Sequence, residues 1–258
     1  MKPKIAVHKF SSCDGCQLAF LNLGEELLTL FELADVLHFA EAGPVDADAG
    51  VDISFVEGSI SSPQELVRIK RIRERSRYLV TIGACATAGG LQALRNMTKT
   101  GDWLESVYPA PEYIQTLESV SPVHAHVEVD LELWGCPVNS RQVLAVIPAL
   151  LSGVIPADEH ERVCMECKRQ QGVCVMVTRG LPCMGPVTRT GCGALCPRIG
   201  RDCYGCYGPS ETPATGSLSC RFAKLGLDSG QIAHRFHSFN PAAPAFHRAC
   251  LDCQESDD

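Results

Sequence analysis

Fifteen cysteines, divided into two differently built groups, constrain this 258-residue chain more than any other feature. Four are scattered over the first half, and eight crowd into the stretch from position 164 to 206. Thiols at such short spacing form disulfides or bind metals that prefer soft ligands, such as zinc and iron. The remaining three cysteines follow the crowded stretch, at Cys220, Cys250 and Cys253.

The start of the chain and its charge narrow the class of protein. MKPKIAVHKF lacks the apolar segment and cleavage site of a signal peptide and has no twin arginine. No run approaches the ~18 apolar residues of a membrane span. We therefore expect a cytoplasmic protein, in which reducing conditions favour metal ligation over disulfides. The net charge of −7 argues against a nucleic-acid-binding protein.

The first half alternates strand and helix patterns. Ser62 and Glu65 form a capping-box pattern at the start of one predicted helix. Alternation of this kind predicts right-handed βαβ units and a mainly parallel sheet. The predicted strands cover 4–7, 36–39, 53–56, 78–82 and 126–134, and the predicted helices cover 17–33, a segment from 62, 91–94, 112–117 and 140–151.

Each of the four scattered cysteines follows the carboxyl end of a predicted strand. Those ends share one edge of a parallel sheet, which is where ligands bind. We therefore expect four thiols to converge on one site, a ligand set that suits a [4Fe–4S] cluster. Coincidental burial of lone cysteines is the alternative. The four are Cys13, Cys16, Cys85 and Cys136, and three glycines beside them could let the backbone approach closely: Gly15, Gly83 and Gly135.

The second half has little regular periodicity, so metal should supply much of its folding free energy. Eight thiols can hold two four-ligand centres, for which we favour [4Fe–4S] clusters, with two zinc sites as the alternative. The allocation of the eight between two centres stays open. The change in cysteine density predicts domains at 1–155 and 156–258, the second with an acidic tail. The eight are Cys164, Cys167, Cys174, Cys183, Cys192, Cys196, Cys203 and Cys206.

Four motifs follow one another along the first half: Ser12-Cys13-Asp14-Gly15-Cys16, Phe55-Val56-Glu57-Gly58, Gly83-Ala84-Cys85-Ala86 and Trp134-Gly135-Cys136-Pro137. Together they give this half a specific resemblance to the small subunit of [NiFe] hydrogenases. The cysteine-rich half, from Val163-Cys164-Met165-Glu166-Cys167 to Gly191-Cys192-Gly193-Ala194-Leu195-Cys196-Pro197, resembles the cytoplasmic group that includes NADP-linked sulfhydrogenases. The resemblance covers roughly residues 3–210.

This resemblance implies a flavodoxin-like α/β domain, a doubly wound parallel sheet, followed by an irregular cysteine-rich iron–sulfur domain. It implies that the four first-half cysteines bind the proximal cluster and the eight later ones the medial and distal clusters. Hydrogen would be activated on a separate large subunit. Electrons would pass through three [4Fe–4S] clusters to a flavin- or NAD(P)-binding subunit, or to a sulfur- or polysulfide-reducing one, with a further iron–sulfur subunit in the complex.

Glu57 lies where the family also has a glutamate. The resemblance suggests a role in proton movement or subunit contact, and the alternative is a carboxylate that caps a backbone group. Cys250-x2-Cys253 could be a metal or redox pair, but no second pair accompanies it, so we favour free thiols.

Two other functions remain alternatives from the sequence. One is the cluster-bearing subunit of a complex I-like enzyme or of a membrane-bound hydrogenase relative. Against it, complex I chains carry adjacent cysteines in the first motif and lack the eight-cysteine domain, whereas Asp14 and Gly15 separate Cys13 from Cys16 here. The other is an interaction module stabilised by zinc, without a redox role.

Overall fold

The computed structural model describes residues 2–43, 45–157 and 161–254. The chain divides into two compact units, one ending at Pro156 and one beginning at Ala157. Within the described residues, no helix has the length and apolar character needed to cross a membrane.

A five-stranded parallel sheet forms the centre of the first unit. Its strand order, β2-β1-β3-β4-β5, is that of flavodoxin-like doubly wound folds, in which ligands bind beyond the carboxyl ends of the strands. The predicted α/β class is therefore confirmed. The strands are β1 (Lys4–Lys9), β2 (Asp35–Phe39), β3 (Val51–Glu57), β4 (Ser76–Ile82) and β5 (Leu131–Leu133).

Helices follow the strands of the first unit. The predicted capping box opens α3, where the Ser62 hydroxyl accepts from the Glu65 amide and the Glu65 carboxylate accepts from the Ser62 amide. The helices are α1 (Gly15–Leu21), α2 (Glu25–Leu33), α3 (Pro63–Glu74), α4 (Gly83–Ala88), α5 (Thr100–Val107) and α6 (Ser140–Leu151), with 3-10 turns at Leu91–Met97, Pro111–Tyr113 and Val123–Ala125.

Apolar side chains fill both faces of the sheet. On one face Phe20 packs edge-on against Phe39 and Phe55, with ring centroids 5.9 and 5.4 Å apart. On the other, Ile69 and Ile72 of α3 belong to a second buried cluster. Burial on both faces holds the strand ends in fixed positions, and the loops beyond those ends carry the functional residues.

Several predicted elements of the first unit differ from those observed. The predicted helix 17–33 divides at Gly24, whose positive φ of 62° ends the helical path and allows α2 to start afresh. The predicted strand 126–134 pairs only over 131–133, because the carboxylate of Asp130 accepts the Leu79 amide just before it. The predicted helix at 112–117 is a single 3-10 turn, and α5 was not predicted.

The second unit contains more regular structure than its sequence suggested. Its first part holds three short helices among loops, but residues 215–254 form three longer helices around the buried rings of Phe222, Phe236 and Phe246. The acidic tail lies outside the described residues beyond Gln254. The helices are α7 (Val163–Arg169), α8 (Val175–Thr178), α9 (Leu195–Arg198), α10 (Thr215–Lys224), α11 (Ser229–His237) and α12 (Pro244–Gln254).

Two hydrogen bonds tie this helical part to the cysteine-bearing loops. The Arg235 guanidinium pairs with the Asp202 carboxylate at 2.5 Å, and the Asn240 amide donates to the Gly205 carbonyl at 2.9 Å. The loop on either side of Cys203 is thus held by residues of α11 and of the turn that follows it.

A buried histidine pair gives the first unit a pH-dependent stability. His8 stacks on His38 with ring centroids 4.7 Å apart, and burial, then the charges of His38 and Arg68, lower the pKa of His8 to about 3. The unfolded chain therefore binds a proton near pH 6.5 that the folded chain binds only near pH 3. Stability is fully present above that window and falls as the pH drops through it.

We expect the free energy of unfolding to fall by about 1.4 kcal/mol for each pH unit below about 6 from this group alone. Urea unfolding followed by circular dichroism at pH 7.5, 6.0, 5.5 and 5.0 measures the slope. A His8→Phe variant should have a shallower slope, and equal slopes in the two proteins would contradict the assignment.

Candidate iron–sulfur cluster sites

Four thiols meet beyond the carboxyl edge of the sheet. Cys13 and Cys16 follow β1, Cys85 lies in α4 directly after β4, and Cys136 follows β5. The charges of Cys85 and Cys136 both raise the pKa of Cys16, and the charge of Cys13 acts on Cys85 and Cys136. The sheet therefore brings all four within electrostatic reach of one another. Cys13 is exposed and Cys16 is buried.

Burial sets the protonation of this site. It is the largest cause that raises the pKa of Cys16 and of Cys136, and together with neighbouring thiolates it raises the pKa of Cys85 to about 12. Four thiolates are thus unfavourable here without a positive charge between them. A cationic iron–sulfur core would supply that charge, and its binding would release the thiol protons.

Glycines make room for the sulfur atoms. A Cβ at Gly83, where φ is +85°, would lie 2.3 Å from the Cys16 sulfur, and one at Gly90, where φ is +61°, would lie 2.5 Å from the Cys85 sulfur. Neither position could carry a side chain without displacing a thiol. Gly135 accepts the Ala84 amide at 2.7 Å. The sequence pointed to Gly83 but not to Gly90, whose only signal was the glycine pair after Cys85.

Glu57 occupies the end of β3, between the strands that carry the thiols. It is 1% exposed, and its carboxylate accepts the Cys16 amide at 2.9 Å, the Gln17 amide at 3.3 Å and the Gln17 side-chain amide at 3.0 Å. The carboxylate thus caps the first turn of α1, where Asp14 makes no side-chain cap. Sequence reasoning missed Gln17, which is fully buried.

Backbone amides also point at the sulfurs of this site. The Val138 amide donates to the Cys16 sulfur at 3.4 Å, and the Leu91 amide donates to the Cys85 sulfur. Amide hydrogen bonds to sulfur, together with burial, are the means by which a protein sets the reduction potential of an iron–sulfur cluster.

In the second unit, four of the eight thiols form a first group: Cys164, Cys167, Cys174 and Cys183. Burial and then the charges of the other three raise the pKa of Cys164 to about 11. A Cβ at Gly185 would lie 3.3 Å from the Cys164 sulfur and 3.5 Å from the Cys183 sulfur, so these two sulfurs are neighbours. A Cβ at Gly172 would lie 2.6 Å from the Cys167 sulfur.

The other four thiols, Cys192, Cys196, Cys203 and Cys206, follow in the chain. The charge of Cys206 adds to burial in raising the pKa of Cys203, and the Cys203 amide donates to the Cys183 sulfur at 3.2 Å. Glu166 of α7 accepts the Ala194 amide at 3.1 Å and the Thr190 hydroxyl at 2.6 Å, which fixes the loop around Cys192. The two groups of thiols are therefore adjacent at Cys183 and Cys203.

The remaining cysteines lie in the helical part. Cys220 is exposed on α10, whereas Cys250 and Cys253 are buried on α12, with the Cys253 sulfur 3.8 Å from the Ser219 hydroxyl. Across residues 2–43, 45–157 and 161–254, no three His, Cys, Asp or Glu side chains are placed to hold a single metal ion. A zinc ion needs its sulfur ligands at about 2.3 Å from one centre, whereas a cubane spreads its thiolates over four irons.

The first unit matches a family of known proteins. Residues 13–150 match the family model described as NADH ubiquinone oxidoreductase, 20 Kd subunit. This match covers the four cysteines of the sheet edge and the glutamate between them, and it ends before the eight-cysteine segment.

Hydrogenase subunits are similar to the chain over most of its length. Subunit delta of sulfhydrogenase 2 from Pyrococcus furiosus is 34% identical over 207 residues, which are 80% of this chain and 86% of that protein. One subunit of the F420-non-reducing hydrogenase of Methanocaldococcus jannaschii is 29% identical over 89% of each chain. A chain in the crystal structure of an NAD+-reducing [NiFe]-hydrogenase is 29% identical, with a TM-score of 0.57 over 61% of this chain and 96% of that one.

The family model ends at residue 150, whereas the similarity to hydrogenase subunits covers 80–89% of the chain and so extends into the second unit. The chain therefore belongs to the family of the 20 kDa subunit of NADH–ubiquinone oxidoreductase and, within it, to the small subunits of [NiFe] hydrogenases of the sulfhydrogenase type.

Proposed function

We propose that this chain carries three [4Fe–4S] clusters and relays electrons between a nickel–iron centre on a partner large subunit and a downstream acceptor subunit. The observation that carries the proposal is the gathering of four thiols beyond the edge of the sheet, between glycines that could hold no side chain. Family membership and the many cysteines support iron–sulfur binding over a zinc-stabilised module.

We assign the four thiols of the sheet edge to the proximal cluster. We assign the first group of the second unit, Cys164 to Cys183, to one further cluster and the second group, Cys192 to Cys206, to the other. The charges of the other three thiols of the first group all raise the pKa of Cys164, which supports this sequential allocation. The adjacency of Cys183 and Cys203 would place the two clusters next to each other.

Clusters bound at these sites would accept and release one electron at a time. The chain's own residues would set how readily they do so. Buried thiols, backbone amides at Cys16 and Cys85, and the buried Glu57 carboxylate act on the proximal site, and the Cys203 amide acts on the second unit. Glu57 is in this account a positioning residue, because it holds the turn that carries Cys16.

The partners in this proposal are a large subunit, where hydrogen is activated, and a flavin- and NAD(P)-binding or sulfur-reducing subunit with an additional iron–sulfur subunit. One relative is named a sulfhydrogenase subunit and one structure is of an NAD+-reducing enzyme, which supports both kinds of acceptor. We place the complex in the cytoplasm. The complex I-like alternative is disfavoured because the relatives over most of the chain are hydrogenase subunits.

Metal analysis tests the proposal. The native complex is isolated without oxygen through a tag on this chain, and nickel, iron, zinc and acid-labile sulfide are measured per copy. We expect about one nickel, and about twelve irons from this chain in addition to those of other subunits. Zinc in place of iron would support the structural-module alternative, and iron without nickel in a matured complex would support the complex I-like one.

A further inference from the structure

One ion pair in the second unit links a residue outside the cysteine-rich segment to the thiols. Arg235 of α11 binds the carboxylate of Asp202 at 2.5 Å, and Asp202 directly precedes Cys203 in the chain. Most of the pair is buried, since 26% of the Arg235 side chain and 12% of the Asp202 side chain are exposed. Water and salt screen buried charges weakly, so these two act on neighbouring groups more strongly than surface charges do.

The Asp202 carboxylate lies where the two groups of thiols meet. Burial is the main cause that raises the pKa of Cys183, a thiol of the first group, and the charge of Asp202 raises this pKa further. The Cys203 amide, next along the chain from Asp202, donates to the same Cys183 sulfur at 3.2 Å. Cys203 itself belongs to the second group and is 5% exposed. The carboxylate is therefore close to thiols of both groups.

Arg235 is held in place by side chains other than the thiols. Its guanidinium carbon lies 5.9 Å from the centroid of the Tyr204 ring. Arg201 lies 5.4 Å from the same centroid and donates to the Tyr204 hydroxyl at 2.6 Å. The next residue of α11, Phe236, packs edge-on against Phe246, with ring centroids 5.7 Å apart. The position of the arginine is thus set by packing outside the cysteine-rich segment.

We propose that Arg235 is a positioning residue for electron transfer, which neutralises Asp202 and thereby raises the reduction potential of the cluster bound beside Cys183. The proposal rests on the proposed function, since it requires an iron–sulfur cluster at that site. Reduction adds one electron, and hence one negative charge, to the cluster, and an unpaired carboxylate nearby opposes the added charge. With Arg235 in place the pair contributes little net charge, so the cluster accepts an electron more readily.

The sign of the change in potential separates this role from a purely structural one. Arg235→Gln leaves the negative charge of Asp202 unpaired and should lower the potential, whereas Asp202→Asn leaves the positive charge of Arg235 and should raise it. In the double variant neither charge remains, so the potential should return most of the way to its native value. An ion pair that served only to hold the loop would produce no such dependence on the sign of the remaining charge.

The test is a redox titration of the native complex under argon, followed by electron paramagnetic resonance, with iron measured per chain. At the native midpoint potential, we expect Arg235→Gln to lower the ratio of reduced to oxidised cluster about tenfold, which is about 59 mV for one electron. Arg235→Lys should restore most of the ratio. Asp202→Asn should raise the ratio by a smaller factor, because the Arg235 side chain is partly exposed and can turn toward water. The matched control is Arg221→Gln, the same change at an exposed residue of α10, which should leave the ratio unchanged.

Shifts of the same sign in Arg235→Gln and Asp202→Asn, or no shift in either, with full iron, would overturn the proposal. A shift in Arg221→Gln as large as that in Arg235→Gln would overturn it as well. If Arg235→Gln loses iron, the isosteric Asp202→Asn decides alone, and an unchanged or lowered potential in that variant counts against the proposal. A native complex in which this chain holds no iron would instead contradict the proposed function, so the two failures are distinguishable.

Discussion

Replacing Cys85 with serine is expected to remove the proximal cluster and to abolish hydrogen-driven reduction of acceptors beyond it. The Cys85 sulfur accepts the Leu91 amide and lies against Gly90, and burial, then the charges of Cys136 and Cys13, raise the pKa of this thiol. A serine hydroxyl is a poor ligand for iron that thiolates normally bind. We expect about four irons fewer per chain and a loss of at least ~100-fold in the rate of acceptor reduction, because every electron must pass this cluster.

Cys220→Ser is the matched control for this variant. Cys220 is an exposed cysteine on α10, so the same chemical change at that position should leave the iron content and the rate unchanged. Iron is measured by colorimetry on the anaerobically isolated complex, and the rate by dye reduction at the acceptor end. Normal acceptor reduction by Cys85→Ser would sink the ligand assignment, and a loss of about four irons in Cys220→Ser would mean that the twelve ligands are wrongly chosen.

The second large effect is expected from Gly83→Ala. The added methyl group would lie 2.3 Å from the Cys16 sulfur and 3.4 Å from the Gly135 carbonyl oxygen. The backbone cannot easily shift to relieve this contact, because φ of Gly83 is +85° and the next amide, that of Ala84, donates a hydrogen bond to the Gly135 carbonyl. We expect the sulfur to be displaced and the proximal cluster to be lost, with about four irons fewer per chain.

Strain at a positive φ would by itself destabilise such a variant by roughly 1–2 kcal/mol, so the comparison must remove that contribution. Gly153→Ala does so: Gly153 has a φ of +77°, and its Cβ would meet nothing within 4 Å. Thermal unfolding and iron content are measured for both. A similar loss of stability in both variants with full iron in Gly83→Ala would show that the glycine serves only the backbone conformation.

The positions of the first four thiols could be predicted because two simple rules act together. Parallel strands place their carboxyl ends on one edge, and Cys85 and Cys136 each follow a strand closely in the chain. The start of α3 was equally readable, since a capping box is a local pattern of Ser62 and Glu65. In both cases a short stretch of sequence determines the geometry.

What could not be predicted depends on contacts between distant segments. The contact of Gly90 with Cys85 depends on how the chain returns after α4, and the burial of Gln17 depends on Glu57, which is forty positions away. The longer helices of the second unit are a different case, because the sequence does contain a local pattern that predicts one of them. Asp228 and Gln231 form a capping box at the start of α11, and Ile232 and Phe236 are spaced for one buried helix face.

The three closing helices of the second unit also bear on how the protein is made. They bury Phe222, Phe236 and Phe246 in an apolar core that needs no metal, and through Arg235 and Asn240 they hold the loop around Cys203. Because the ribosome makes these helices after the cysteine loops, the loops can be anchored only once the helices have emerged. Cluster insertion into the second unit is therefore expected to follow their synthesis. The helices would by then have ordered part of the loops, so that iron binding would have to offset less of the entropy lost on ordering them.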